Sequence, residues 1–421
     1  MNESDSEIVR AILKRHGWKF VDEVNKADAI LLNTCSVRES ATRKVFGHIH
    51  DMRHVLKGRP VLIGILGCMA TDAKQSLFEN KKLGIDFIAG PDSYKKLPLL
   101  IEQAQTRRKS ADIELSPKED YCDIYPARTT GVNALVTIMR GCDNFCSFCI
   151  VPYVRGRERS RSPKSILSEI RRLAKEGYPQ VTLLGQNVNS YRVDDYDFPR
   201  LLDEISRIKG LKRIRFMSPH PKDFSQKLID LIAERPNICK HIHLPLQSGS
   251  SRILKLMNRK YTKTHFLNLV KKIKNKCPTA TITTDIIVGF PTETEKDFND
   301  TVDVFKKVSF DSAFIFKYSP RNGTAAQRRH KDNVSPEIKT KRIILLNEIQ
   351  KSISLEQNEK LIGQIETVLI DAKKTPGLYY GRTNTNKLVS CYCTKCKIGQ
   401  LVDVKIFNAS MNGLGGKRVR G

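Results

Sequence analysis

No apolar run in this 421-residue chain approaches the roughly 20 residues that a helix needs to cross a bilayer, so no membrane span is expected. Acidic residues are few beside basic ones: 45 Asp and Glu against 73 Lys and Arg leave a formal net charge of +28 and a pI near 9.7. A field of that sign draws polyanions at any cellular pH, and it favours a nucleic-acid partner over a neutral metabolite. Histidine is missing where a zinc knuckle would need it, since the first one after the cysteines at 142, 146 and 149 is His220. No signal or transit segment is read at the start, because Asp5 and Glu7 stand where a basic amphipathic presequence would lie. Cysteine itself is not scarce, at eleven. A disulfide framework belongs to small secreted domains, whereas this chain has room for two to three domains and a substantial core. The expectation is a reducing compartment, with thiols used for metal.

Three of those thiols fall in Arg140-Gly-Cys-Asp-Asn-Phe-Cys-Ser-Phe-Cys149. The spacing C-x3-C-x2-C offers Cys142, Cys146 and Cys149 to a four-iron cubane and leaves the fourth iron open for a substrate. A structural zinc site closes four ligands, commonly as paired C-x2-C knuckles or with histidines, and that pattern is not here. Phe145 and Phe148 lie inside the loop, where they would either shield a cluster from water or simply pack.

Residues 3–16 read as a helix with Ile8, Ile12 and Leu13 on one side. Apolar runs follow at 18–21, 29–32, 60–66 and 85–89, each trailed by a helical or turn-rich stretch, which is the alternation of a doubly wound parallel sheet. Cys35 and Cys68 fall just past the carboxyl ends of two of these strands, the edge at which open α/β sheets bind ligands. Residues 1–105 are read as this α/β domain, and 106–128, with Arg107-Arg-Lys109 and several acids, as a linker. A second βα series occupies 129–358, with strands at 134–138, 181–184, 213–216, 241–244, 281–287 and 313–316. Six repeats fall short of the eight of a closed barrel, so an open (β/α)6 partial barrel is expected, the three cysteines following its first strand. Beyond a charged helix at about 335–360, residues 359–421 alternate as short strands with basic and aromatic residues, a small β-barrel suited to gripping RNA. Its Cys391, Cys393 and Cys396, in a C-x-C-x2-C cluster, read as incidental surface thiols, with an accessory metal site as the alternative, and Cys239 and Cys277 read as core or surface thiols.

The cysteine loop continues as Ile150-Val-Pro-Tyr-Val-Arg-Gly-Arg-Glu-Arg-Ser-Arg161 and is accompanied by Met1-Asn-Glu-Ser-Asp-Ser-Glu7, Asn33-Thr-Cys-Ser-Val-Arg-Glu39, Leu66-Gly-Cys-Met-Ala70, Val181-Thr-Leu-Leu-Gly-Gln-Asn-Val-Asn189, His243-Leu-Pro-Leu-Gln-Ser-Gly-Ser250 and Thr284-Asp-Ile-Ile-Val-Gly-Phe-Pro291. Together these stretches resemble the radical S-adenosylmethionine (SAM) methylthiotransferases over nearly the whole chain. Within them the resemblance is to the tRNA branch that makes 2-methylthio-N6-isopentenyladenosine, in its bacterial and mitochondrial forms.

The resemblance implies transfer of a methylthio group to C2 of N6-isopentenyladenosine at position 37 of tRNA, with SAM and two [4Fe-4S] clusters as cofactors and a TRAM domain as the terminal barrel. It assigns Cys142, Cys146 and Cys149 to the radical SAM cluster, and Cys35 and Cys68 to the auxiliary one. The family's third auxiliary cysteine lies two residues ahead of the position of Met1, so the first strand is expected to be missing and the chain to be a fragment or a wrongly started one. Cys122 is the only nearby substitute, and a poor one. Gln186 and the run from Asp285 to Phe290 are implied in the SAM pocket, with His243 a satisfied core histidine. Arg155, Arg157, Arg159, Arg161 and Lys164 crowd the segment after the radical cluster and are expected to meet tRNA phosphates. The setting is expected to be mitochondrial or cytoplasmic. The electron donor and the sulfur source are not legible, and a protein partner is admitted by the mitochondrial resemblance. Competing readings are a methylthiotransferase acting on threonylcarbamoyl-adenosine or a ribosomal protein, and a truncated regulator that binds RNA or a partner without full activity.

Overall fold

Leu62–Gly67 alternates as a strand covered on both faces must: Ile63 and Ile65 join one apolar cluster, Leu62 and Leu66 another. The computed structural model places this strand (β2) in a parallel sheet with β1 (Ala29–Thr34), β3 (Phe87–Ala89) and β4 (Ser110–Asp112), in the order β1-β2-β3-β4. Helices α1 (Asn2–Arg15) and α4 (Leu97–Gln105) contribute Ile8, Ile12 and Ile101 to one cluster. Helices α2 (Glu39–Leu56) and α3 (Cys68–Ala73) contribute Ile49 and Met69 to the other, completing the expected doubly wound arrangement. The structure describes residues 1–35, 39–56, 58–74, 76–106, 108–128 and 131–419, and the side chains of all of these except 39–43. Ser36, Val37 and Arg38 of the Asn33–Glu39 stretch, and Arg107, therefore lie outside the described residues.

Packing divides the chain into two units: Met1–Thr129 with Met139–Phe145 and Cys149–Ser162, and Thr130–Ile138 with Cys146–Phe148 and Pro163–Gly421. In the first unit two stretches depart from the sequence reading. Residues 18–21 form no strand; Phe20 and Val21 are exposed, and the Arg10 guanidinium lies 5.2 Å from the centre of the Phe20 ring. Much of the segment read as a linker is packed structure. Strand β4 pairs with β3, and the buried Tyr121 hydroxyl donates to the Pro91 carbonyl (2.9 Å) while accepting from the Tyr94 amide (3.1 Å).

In the second unit six parallel strands fall where the apolar runs predict them: β5 (Asn133–Thr137), β6 (Gln180–Leu184), β7 (Arg213–Phe216), β8 (His241–His243), β9 (Thr281–Val288) and β10 (Ser312–Lys317). They form two sheets, β7-β6-β5 and β8-β9-β10, with a parallel bridge between Ile214 and Ile238 leading from one to the other. A long helix, Pro336–Glu359, then leads to a closed five-stranded barrel over Ile365–Thr375, Leu378–Thr383, Leu388–Tyr392, Leu401–Ser410 and Gly413–Arg418. The carboxyl-terminal cysteines are not incidental surface thiols. Cys391 and Cys396 are buried in the barrel core beside Val389 and Val404, and Cys393 is disulfide-bonded to Cys396. Cys239 and Cys277 are both buried.

The turn at 383–387 seats the barrel on the amino-terminal ends of the parallel strands. Arg213 donates to the Thr367 carbonyl (2.6 Å), Arg215 to the Thr383 carbonyl (2.8 Å), Thr281 to the Thr385 carbonyl (2.9 Å) and Lys387 to Asp311 (3.0 Å). His241 begins β8 on this side, where burial, with Arg215 and His243 adding, pushes its pKa down to about 3. Its ring stays neutral in the fold, while in the unfolded chain it gains a proton below about pH 6.5. Stability is therefore fully present above that pH and falls as the pH drops toward 3, by about 1.4 kcal/mol per pH unit for this one proton. The expected outcome is a shallower loss of urea stability between pH 6.5 and 4 in His241→Gln than in the parent chain.

Candidate active site

The cysteine loop begins with a turn that only glycine tolerates. Gly141 has φ +75°, and a Cβ there would lie 2.0 Å from the Arg157 carbonyl oxygen. Beside it the Cys142 amide donates to the Gly156 carbonyl (3.2 Å). Further along, Ser147 is held by its amide on the Met257 carbonyl (2.9 Å) and its hydroxyl on the Leu256 carbonyl (2.8 Å). Cys146 is buried, and Cys142 and Cys149 are partly exposed. Phe148 packs against the core of Ile253, Met257 and Phe290, whereas Phe145 is exposed beneath Arg157, at 5.0 Å.

One residue of this site escapes sequence reasoning. The buried Arg259 donates from Nη1 to Cys146 Sγ (3.3 Å), from Nε to the Tyr261 hydroxyl (3.1 Å) and from Nη2 to the Pro245 carbonyl (3.1 Å). It is 113 positions from Cys146 in sequence. Its one local signal is structural: Asn258 and Lys260, on either side, both have positive φ (58° and 60°), which side chains other than glycine seldom adopt without a functional reason.

Of the residues implied in a SAM pocket, Gln186 lies past the carboxyl end of its strand and Asp285 lies within β9. Gln186 follows β6, and its Oε1 is buried without a hydrogen-bond partner. His220 follows β7, with its amide on Asn189 Oδ1 (2.7 Å) and its Nδ1 accepting from the Lys222 amide (3.2 Å), so the proton sits on Nε2. That Nε2 is also buried and unpartnered, and burial, with Arg259 and Lys222 adding, holds the ring neutral with a pKa of about 2. An orphaned acceptor and an orphaned donor on neighbouring strand ends fit a ligand that brings its own amino and carboxylate groups. Asp285 on β9 pairs with His243 Nε2 (3.2 Å), whose Nδ1 accepts from Thr283 (3.0 Å). The motif after His243 is spent on packing. A Cβ on Gly249 would lie 2.4 Å from Thr301 Cα, and Ser250 donates to Asp297 (2.6 Å).

In the first unit, the ends of β1 and β2 pair Thr34 with Gly67, which sets Cys35 and Cys68 just beyond two adjacent strands. Burial pushes the Cys68 thiol up; Arg155 opposes this and the nearby Cys35 adds to it. Arg155 donates to Cys68 Sγ from Nε (3.0 Å) and to Asp5 Oδ2 from Nη2 (2.7 Å), and Arg140 completes the pair at Asp5 Oδ1 (2.9 Å). Asp5 is fully buried; burial alone would raise its carboxyl, but the two arginines hold it below the ordinary range. The arginine segment thus needs correcting. Arg155 is buried on Asp5 and Cys68, Arg159 is bidentate to Asp92 (2.9 and 3.0 Å), and Arg161 is buried, so three of the four present no cation to an RNA phosphate. Of the basic residues expected at tRNA phosphates, Arg157 and Lys164 are exposed, Arg157 paired with Asp143 (2.9 Å). Cys122 is exposed, its amide on Asp120 (2.9 Å).

Among the described residues, no three His, Cys, Asp or Glu side chains gather closely enough to hold one metal ion. A cubane spreads its cysteines over separate irons; the C-x3-C-x2-C spacing suits such a group, and a guanidinium N–H already lies on the Cys146 sulfur.

Family models match in three places: the radical SAM superfamily over residues 136–305, the uncharacterized protein family UPF0004 over 1–90, and the TRAM domain over 359–419. The tRNA-2-methylthio-N(6)-dimethylallyladenosine synthase of Phocaeicola vulgatus is 43% identical over 430 residues, covering 100% of this chain and 94% of the relative. The chain belongs to this synthase family. Its counterparts in Chloroherpeton thalassium (45% identical; 97% of this chain, 92% of the relative) and Desulforamulus reducens (45%; 100% and 93%) agree. Among solved structures, the radical SAM methyltransferase TsrM from Kitasatospora setae, with cobalamin and a [4Fe-4S] cluster bound, shares the synthase's fold at a TM-score of 0.57 and 15% identity, over 89% of this chain and 77% of that one.

Removing the carboxylate between Arg140 and Arg155 leaves two buried, uncompensated cations. Asp5→Ala is expected to lose about 3–5 kcal/mol of stability in urea denaturation, several-fold more than replacement of an exposed acid such as Glu23.

Proposed function

We propose that the chain is a radical SAM tRNA methylthiotransferase that places a methylthio group on C2 of N6-isopentenyladenosine at position 37 of tRNA. The observation that carries this reading is full-length identity above 40% to synthases of that activity, together with a C-x3-C-x2-C loop whose central sulfur receives a buried guanidinium. Cys142, Cys146 and Cys149 would hold a [4Fe-4S] cluster, which would supply the electron for reductive cleavage of SAM and so a hydrogen-abstracting radical.

The chain's own residues bind and orient. Gln186 offers its buried acceptor and His220 its buried donor to SAM, while on β9 His243 fixes the Asp285 carboxylate. Cys35 and Cys68 would supply two ligands of an auxiliary cluster, which would provide the sulfur for the transfer, and Arg155 holds Cys68 in place. For the tRNA, support lies in the net charge of +28 and in the terminal barrel, where Tyr392 and Phe407 are exposed with ring centroids 5.8 Å apart and Lys417 lies opposite Tyr392 in the strand register. The relatives compared are bacterial, which supports the reaction rather than a mitochondrial setting.

Anaerobic reconstitution followed by reaction with SAM, a reductant and tRNA bearing N6-isopentenyladenosine tests the reading. Replacing Cys142, Cys146 and Cys149 together by Ala should abolish 5′-deoxyadenosine; undiminished SAM cleavage in that variant refutes the radical SAM assignment. A second measurement concerns the barrel. The Tyr392→Ala, Phe407→Ala double variant should weaken tRNA binding by ~1–3 kcal/mol per stacked base at an unchanged melting temperature, and an unaltered filter-binding curve would remove the aromatic pair from the RNA contact.

A further inference from the structure

Arg259 is held more firmly than packing requires. Its planar fork is engaged in three directions at once, toward the Tyr261 hydroxyl, the Pro245 carbonyl and the Cys146 sulfur, so the guanidinium cannot swing off the sulfur without breaking two other bonds. Tyr261 is itself tied down, its hydroxyl donating to the Leu246 carbonyl (2.8 Å). The backbone contributes as well, with left-handed residues on both sides of Arg259. A buried cation of this kind is costly unless paired, and among the atoms it touches only the Cys146 sulfur can carry a full negative charge at neutral pH, as a metal-bound thiolate.

We propose that Arg259 is a positioning residue of the radical centre: its N–H on Cys146 Sγ aims that thiolate at iron and raises the reduction potential of the cluster it holds. Reduction adds one negative charge to the cluster and its thiolates, and a fixed cation with a hydrogen bond to one of them stabilises the reduced state more than the oxidised one. Burial strengthens the effect, because few waters are present to screen it. The inference rests on the reading of Cys146 as a cluster ligand, and the test separates the two.

The experiment compares the full-length chain with Arg259→Met and Arg259→Gln after anaerobic reconstitution. It measures iron content, circular dichroism and the midpoint potential, followed by electron paramagnetic resonance during redox titration without SAM. Expected is retention of about four irons at this cluster, with a midpoint more negative by ~59 mV or more, the equivalent of a tenfold weaker one-electron reduction. A midpoint equal to the parent's in either iron-loaded variant overturns the proposal. So does failure of both variants to fold or load iron, which would make Arg259 a structural residue. If the parent chain itself binds no cluster that depends on Cys146, the reading of the ligand fails instead, before any variant is compared.

Discussion

A single buried carboxylate holds the first unit together. Asp5 lies on α1 and pairs with both Arg140, just before the cysteine loop, and Arg155, just after it. The pairing is enforced by desolvation: two guanidinium groups in a dry interior cost several kcal/mol each unless a charge answers them. Because Arg155 also reaches Cys68, the same carboxylate indirectly fixes that thiol. Arg140 extends the arrangement by lying 4.7 Å over the Tyr121 ring, which anchors residues that would otherwise connect loosely.

This explains which features could be read from sequence and which could not. Metal-ligand spacing is local, so three cysteines within eight residues are legible without a fold. The strands of the partial barrel are legible for the same reason, since runs such as Thr281–Val288 carry their β-branched residues contiguously. The arginines of 155–161 are not, because a run of like charges resembles a solvated face until Asp5 and Asp92 arrive from distant positions to bury it. Strand β4 is three small or polar residues that show no period, and Arg259 sits among ordinary helix-flanking residues. The helix Pro336–Glu359 hides its buried side in polar residues, Gln350 and Ser354 among them, which donate to the Phe310 and Asp311 carbonyls.

The two sulfur sites use one device on different backbones. Cys68 receives Arg155 and Cys146 receives Arg259, in both cases a buried guanidinium within hydrogen-bonding distance of sulfur. Arginine suits this task because it remains charged when desolvated and offers several rigidly placed donors, so one can serve the sulfur while others anchor to protein. Lysine would offer a single, more mobile point.

The seat of the terminal barrel imposes a ruler on the substrate. The turn at 383–387 grips the strands at their amino ends, whereas Gln186 and His220 stand at the carboxyl ends of the same sheet. In that sheet β6 has five residues and β7 four, so a five-residue strand sets a span of roughly 17 Å. A nucleic acid touching both places must follow the flank of the unit over at least that span, so an isolated modified nucleoside can occupy one end but never both. Length and curvature of the RNA, rather than the modified base alone, thereby become part of what the molecule reads.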